Sequence, residues 1–430
     1  MKTFKDHCGQ LILCAWMLLG LCACDTEKNL ENPDLHYFVK YYGSDGNQQG
    51  VDMLALSDGS FLLLGNYFPN EFESDIYLVR VDSEGNVIWE RRFDGKDNSI
   101  AKDLEPTADG NFVVLSEFRS ADSLTNLNLL KVSGDGNQIA RVSFGTPAND
   151  YGRTVTLVND GGFIVSGTTE FTSTYNLVNN PDPDLGDFFN YRFGPGLNQF
   201  SPNDWSPVFP GFGGKLDVAV KAIQRSNEFY VFGYSNINLS NTNPDKRLGL
   251  FYFKRNSVGG ETDPYFPGNV AGVNDTKIFF ATAVASGLGT GFIVIGTAER
   301  SVGFSEIFIA RLRSPLTSNL QNDATLYTTI PLGRTLRGVA AASSVVGNQP
   351  GYLVLGNEVR STENIWLSKI DQSGGILWSA TFGSEAEEDR AAAVMELPDG
   401  KIVILGTMGL ADNQLKMALI KVNPNGQLLN

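Results

Sequence analysis

The chain has 430 residues, 48 of them acidic and 33 basic, with a formal net charge of −15. That length suits two or three domains or one repeat architecture. A composition of 42% hydrophobic and 19% charged residues excludes a disordered chain, and the acidic balance argues against nucleic acid, whose phosphates need Lys and Arg. The 46 glycines, 28 phenylalanines and 14 tyrosines lean towards an all-β fold. Cysteine and histidine exclude more. Cys8, Cys14, Cys22 and Cys24 all lie in the first 24 residues, and the two histidines are His7 and His36. Beyond residue 24 there can be no disulfide, no cysteine nucleophile and no Cys/His zinc site.

In chain order, the first element is an export signal. Lys2 and Lys5 form a positive n-region, and residues 11–23 form an apolar run, LILCAWMLLGLCA. A spanning helix needs about 20 apolar residues, so the run reads as the h-region of a signal peptide, residues 1–23. It ends in Leu21-Cys22-Ala23-Cys24, which resembles a bacterial lipobox. The resemblance implies lipid transfer to the Cys24 sulfur, cleavage before Cys24, acylation of the new amine and a membrane held through that lipid. Residues 24–35 are polar and read as a lipidated tether.

From residue 36 the chain repeats itself. YLVRVDSEGNVIWERRFDG (77–95) and WLSKIDQSGGILWSATFGS (366–384) share an alternating strand, an Asp-x-x-Gly turn and a Trp-containing strand. A second pattern comes before these, with Asp58-Gly59, Asp109-Gly110, Asp160-Gly161 and Asp399-Gly400 each leading into an apolar run. The runs end at Gly65, Ser116, Gly167, Gly233, Gly296, Gly356 and Gly406, at spacings of 51, 51, 66, 63, 60 and 50. Seven such units read as an all-β, seven-bladed β-propeller over residues 36–430.

Each unit is expected to supply four strands. The inner one carries small residues, such as Ala340–Ala342 and Ala391–Ala393. The second is apolar throughout, the third alternates through Ile76, Leu78 and Val81, and the fourth holds the Trp. The seventh unit stops at Leu429-Asn430, where its outer strand should begin, and HYFVKYYG (36–43) resembles that strand. The expectation is therefore a ring closed by pairing of the N- and C-terminal strands in the last blade. Two stacked β-sandwiches are the alternative.

These repeats resemble those of bacterial extracytoplasmic propellers with Asp-Gly-Gly and Asp-x-x-Gly-x-x-x-Trp signatures, frequent in outer-membrane lipoproteins of Bacteroidota-type bacteria. The match is strong in units 1, 2, 3 and 7. It implies a fold, not one activity. Acidic residues after the lipobox cysteine imply, in such bacteria, a surface-exposed outer-membrane address.

Chemistry is sparse. Only His36 survives processing and no Gly-x-Ser-x-Gly elbow exists, so a nucleophilic triad fails. No catalytic residue, cofactor or metal is expected. Asp52, Asp150, Asp217, Asp275 and Asp389 recur before the inner strands and would line a channel mouth. Each reads either as a turn cap or as a carboxylate for glycosidase chemistry. The turn at Asp82–Asn86 looks like a calcium-loop fragment but fills a hairpin slot and lacks the final Glu. Trp89, Trp378 and Trp205 read as packing residues.

Two long connections break the repeat, at 168–186 and 234–247. Tyr175, Asn179, Asn180 and Asp184 in the first, with Asn238, Asn241 and Asn243 in the second, suit sugar hydroxyls or a polar protein surface. The sequence therefore reads as a non-enzymatic binding or scaffold lipoprotein with a glycan or outer-membrane protein partner. Its alternatives are an accessory subunit of an assembly or uptake complex and a glycan-active enzyme using channel carboxylates.

Overall fold

The computed structural model describes residues 37–93, 98–119, 124–170, 186–200, 217–235, 249–256, 278–288, 291–301, 304–312, 324–330, 335–347 and 349–429. The signal peptide, Cys24, the tether, His36, Trp205 and Asp275 lie outside them, as do all seven loop residues named above.

The described strands form seven antiparallel sheets, six of them meanders of consecutive strands and the seventh joined by the first strand of the chain. Strand β1 (Phe38–Tyr42) precedes blade 1, which holds β2 (Asn47–Ala55), β3 (Phe61–Phe68), β4 (Asp75–Val81) and β5 (Val87–Phe93). Blade 2 holds β6 (Ile100–Pro106), β7 (Phe112–Arg119), β8 (Thr125–Val132) and β9 (Gln138–Phe144). Blade 3 holds β10 (Asp150–Leu157), β11 (Phe163–Thr169) and β12 (Asp187–Phe193), and blade 4 holds β13 (Asp217–Arg225), β14 (Glu228–Ser235) and β15 (Gly249–Asn256). Blade 5 holds β16 (Ile278–Ser286), β17 (Phe292–Ser301), β18 (Phe304–Leu312) and β19 (Ala324–Ile330). Blade 6 holds β20 (Thr335–Ser344), β21 (Gly351–Val359), β22 (Glu363–Asp371) and β23 (Ile376–Phe382). Blade 7 holds β24 (Arg390–Glu396), β25 (Ile402–Leu410) and β26 (Gln414–Val422), with β1 beside β26.

In blades 3 and 4 three strands are described. The expected architecture needs correcting in two respects. Pairing of the chain ends, with Phe38 opposite Lys421 and Tyr42 opposite Met417, completes the outer edge of blade 7 rather than forming the seam of the ring. That seam lies at the inner strands, where β2 packs on β24, β25 and β26 and the Gly50 N–H donates to Thr407 Oγ1 at 3.0 Å. The second correction concerns β4, which does not alternate between core and solvent. Ile76 and Leu78 join a cluster with Ala101, Val114 and Leu130 of blade 2. Tyr77, Val79 and Val81 join one with Leu405, Met417 and Leu419 of blade 7. Alternation here distributes side chains between two apolar blade interfaces.

The same bond recurs around the ring. The residue after the small one ending the second strand accepts the next inner strand's N–H. Asn66 Oδ1 takes Ala101 N at 2.7 Å, Glu117 Oε1 takes Gly152 N at 3.0 Å, and Thr297 Oγ1 takes Gly338 N at 3.2 Å. Asn357 Oδ1 takes Ala391 N at 2.8 Å. Each bond satisfies a buried or half-buried donor that no ladder partner reaches.

The Trp and Asp-x-x-Gly signatures answer to one contact. Gly136, at φ +80°, lies against the Trp89 ring of the preceding blade, where an added Cβ would come within 3.0 Å of the indole. Gly426, at φ +76°, lies likewise on Trp378 of blade 6, and Gly85, at φ +77°, on Phe38 of β1. Phe38 thus occupies the Trp position of blade 7. Positive φ and absent Cβ are both needed there, which only glycine supplies cheaply.

Candidate functional site

Every inner strand carries one β-bulge at the same level. Register against the second strand shifts between Gly50 and Asp52, Ala101 and Asp103, Gly152 and Thr154, and Ala219 and Lys221. It shifts again between Ala281 and Ala283, Gly338 and Ala340, and Ala391 and Ala393. Bulges re-aim side chains. Here they turn Asp52, Asp103, Thr154, Lys221, Ala283, Ala340 and Ala393 onto one axial cavity of about 350 Å³, a ring contributed by all seven blades. The ring is two-sided. Blades 1 to 4 supply four adjacent polar groups, and blades 5 to 7 supply three adjacent alanines.

The polar half is a bonded network. Asp52 accepts N–H bonds from Met53 at 2.8 Å and from Leu104, in the next blade, at 3.2 Å. Asp103 repeats this one blade on, accepting the Val155 N–H at 2.8 Å. Lys221 Nζ lies 3.4 Å from Asp103 Oδ2 and 3.8 Å from Glu105 Oε1. Burial, and then the adjacent Asp103 carboxylate, push Asp52 well above the ordinary carboxylate range. Burial alone would lower Lys221, but Asp103, Glu105 and Asp52 outweigh it and hold the ammonium charged well above its usual value. Burial pushes Glu105 up to about 7, against the opposing pull of Lys221.

Glu105 gives a pH signature. An acid held higher in the folded state than its ordinary 4.5 stabilises the fold fully below that value and loses the contribution as pH rises through about 7. Between pH 5 and pH 8 the unfolding free energy of the wild type should therefore fall by on the order of 1 kcal/mol more than that of Glu105→Gln. Urea unfolding at the two pH values measures this, and parallel pH dependence in the two proteins would contradict it.

The four described channel-mouth aspartates do not act together. Asp52 reaches the channel. Asp150, Asp217 and Asp389 sit two residues before the inner-strand positions facing Gly167, Gly233 and Gly406, on the approach to the strands. Asp150 Oδ2 accepts the Thr146 N–H at 2.5 Å. Asp389 accepts those of Ser384 at 2.8 Å and Gly409 at 3.0 Å. These two are turn caps, while Asp217 is fully buried at the start of β13. The Asp82 carboxylate is likewise engaged by Glu84 N, Asn86 N and Asn86 Nδ2 of its own turn. No group of metal-ligating residues exists among the described residues. Sequence reasoning missed Asp103, Glu105 and Lys221. Counting two residues past the inner-strand residue that faces each strand-ending small residue would have found the ring.

Residues 397–428, within blade 7, match a domain of unknown function (DUF5122) described as a beta-propeller. The chain is a β-propeller. No curated protein matches it. Among solved structures, puromycin hydrolase aligns with a TM-score of 0.50 at 11% identity, over 84% of this chain and 50% of that one. Drosophila Plexin A, solved in complex with Semaphorin 1b, aligns with a TM-score of 0.49 at 9% identity, over 90% and 86% of the two chains. A protein of unknown function from Dyadobacter fermentans gives 0.46 at 12% identity, over 90% and 99%. At such identities the likeness is one of fold alone.

Proposed function

We propose that this propeller is a non-enzymatic binding or scaffold lipoprotein of the bacterial cell envelope, which recognises a glycan or protein partner through connections on one face. The observation that carries the reading is the state of the channel carboxylates. A general acid, base or nucleophile must present an oxygen to the substrate. Asp52 and Asp103 instead spend theirs on N–H groups of the next blade and on Lys221, which makes them ties between blades. This favours binding over a glycan-active enzyme.

The two long connections support the choice of face. They follow β11 and β14, the second strands of adjacent blades, and so leave the ring on the same side. The lipid anchor is supported by the apolar run 11–23 ending in Leu21-Cys22-Ala23-Cys24, and two or more acyl chains hold a protein firmly on a bilayer. Cys24→Ser should abolish incorporation of labelled palmitate and release the chain from the membrane fraction, or leave it uncleaved. A mutant that still takes up label and still sediments with membranes would end the lipoprotein reading.

A further inference from the structure

We propose that a cleft where blades 2, 3 and 4 meet receives the carboxylate of an acidic sugar, with Arg153 as its anchor. The inference deepens the binding reading above and rests on it. The cleft is a cavity of about 270 Å³ lined by Lys102, Glu117, Tyr151, Arg153, Thr168 and Tyr234. Lys102 and Arg153 also line the axial cavity, so the two spaces adjoin.

Charge distinguishes the site. Lys102 Nζ is bound to Glu117 Oε2 at 2.9 Å, and the other Glu117 oxygen accepts the Gly152 N–H at 3.0 Å. That pair is neutral and internally satisfied. Arg153 is the bulged residue of β10, is exposed, and makes no hydrogen bond or ion pair among the described residues. The Arg153 guanidinium therefore keeps its donors free, with its charge balanced only at a distance by Glu117, in a chain of net charge −15. A guanidinium is a planar fork matched to a carboxylate, and it cannot lose its proton to relieve the mismatch.

The walls point to a sugar acid. Tyr151 is 40% exposed, and its hydroxyl donates to Glu170 Oε1 at 3.0 Å, which holds the ring in place. Tyr234 supplies a second ring, and Thr168 adds a hydroxyl oxygen. Apolar ring faces beside polar groups suit the C–H face and hydroxyls of a pyranose. The volume falls just below the ~300–1,000 Å³ typical of small-molecule pockets, so one sugar unit of a chain fits better than a large ligand. Thr168 and Tyr234 each lie one residue from the end of a strand that leads into one of the two long connections.

Isothermal titration of the mature chain with trigalacturonate and sialyllactose, against neutral galactotriose and triglutamate, tests this. At least one acidic sugar should bind. Arg153→Gln should weaken it by about tenfold or more, Arg153→Lys should restore part of the loss, and melting temperatures should be unchanged because the side chain is exposed. Galactotriose should bind no better to the wild type than to Arg153→Gln. The cleft assignment falls if neither acidic sugar binds, if Arg153→Gln binds equally well, or if triglutamate binds as tightly. Mass spectrometry of the same mixtures separates the two claims: Arg153-dependent binding accompanied by shortened sugars would uphold the cleft and overturn the non-enzymatic reading.

Discussion

Truncating Trp366 to alanine is expected to lower the stability of the propeller by about 3–5 kcal/mol, the largest loss of any outer- or third-strand tryptophan. Trp366 has no exposed surface and packs with Ile293, Ile295, Ile307 and Ile309 of blade 5 and with Tyr352 and Val354 of its own blade. Its Nε1 has no hydrogen-bond partner among the described residues, so truncation removes packing, and it does so at a joint between blades that cannot collapse without moving a sheet. Trp378, half-buried on the outer strand β23, should cost about 1–2 kcal/mol on the same change, since it loses less buried surface. Denaturant unfolding of the two variants side by side measures the difference. Equal losses would mean that the blade interface is not where the stability resides.

Much of this fold can be read from the sequence because its period is set by local chemistry. The Asp-Gly and Asp-x-x-Gly turns need positive φ at Gly59, Gly85, Gly110 and Gly136, and those residues stand out in any reading. The apolar second strands stand out too, because blade interfaces cover both their faces. The third strands were read wrongly for the same reason. Ile76 and Tyr77 point to opposite sides of β4, yet both are buried, one against blade 2 and the other against blade 7. A period of two was visible, but not that solvent lies on neither side.

The channel was the least legible part. A one-residue bulge shifts the parity of every inner strand, so Asp52 faces the axis while Asp150 and Asp389 cap turns. Residue type cannot separate these aspartates, and only the register against Gly65, Gly167 and Gly406 does. Arg153 was invisible for the opposite reason, since it occupies the bulge itself, a position that no alternating pattern marks. The symmetry-breaking connections were easy to see as insertions, and their flanks at Thr169 and Ser235 place them after the second strands of neighbouring blades.

The largest functional effect should come from those connections. Shortening both to the length of the Phe68–Asp75 connection in blade 1 leaves the inner-strand bonds and the blade cores untouched, so the ring should melt as before. What it removes is Tyr175, Asn179, Asn180 and Asp184 from one connection and Asn238, Asn241 and Asn243 from the other. Loops carry recognition more often than the scaffold strands that hold them. The direct test is a glycan array run alongside a crosslinking pull-down from membranes, with the wild-type and doubly shortened chains compared at matched circular dichroism. The account predicts a ligand or partner retained by the wild type and lost by the shortened chain. Undiminished capture by a shortened chain with a native spectrum would contradict it.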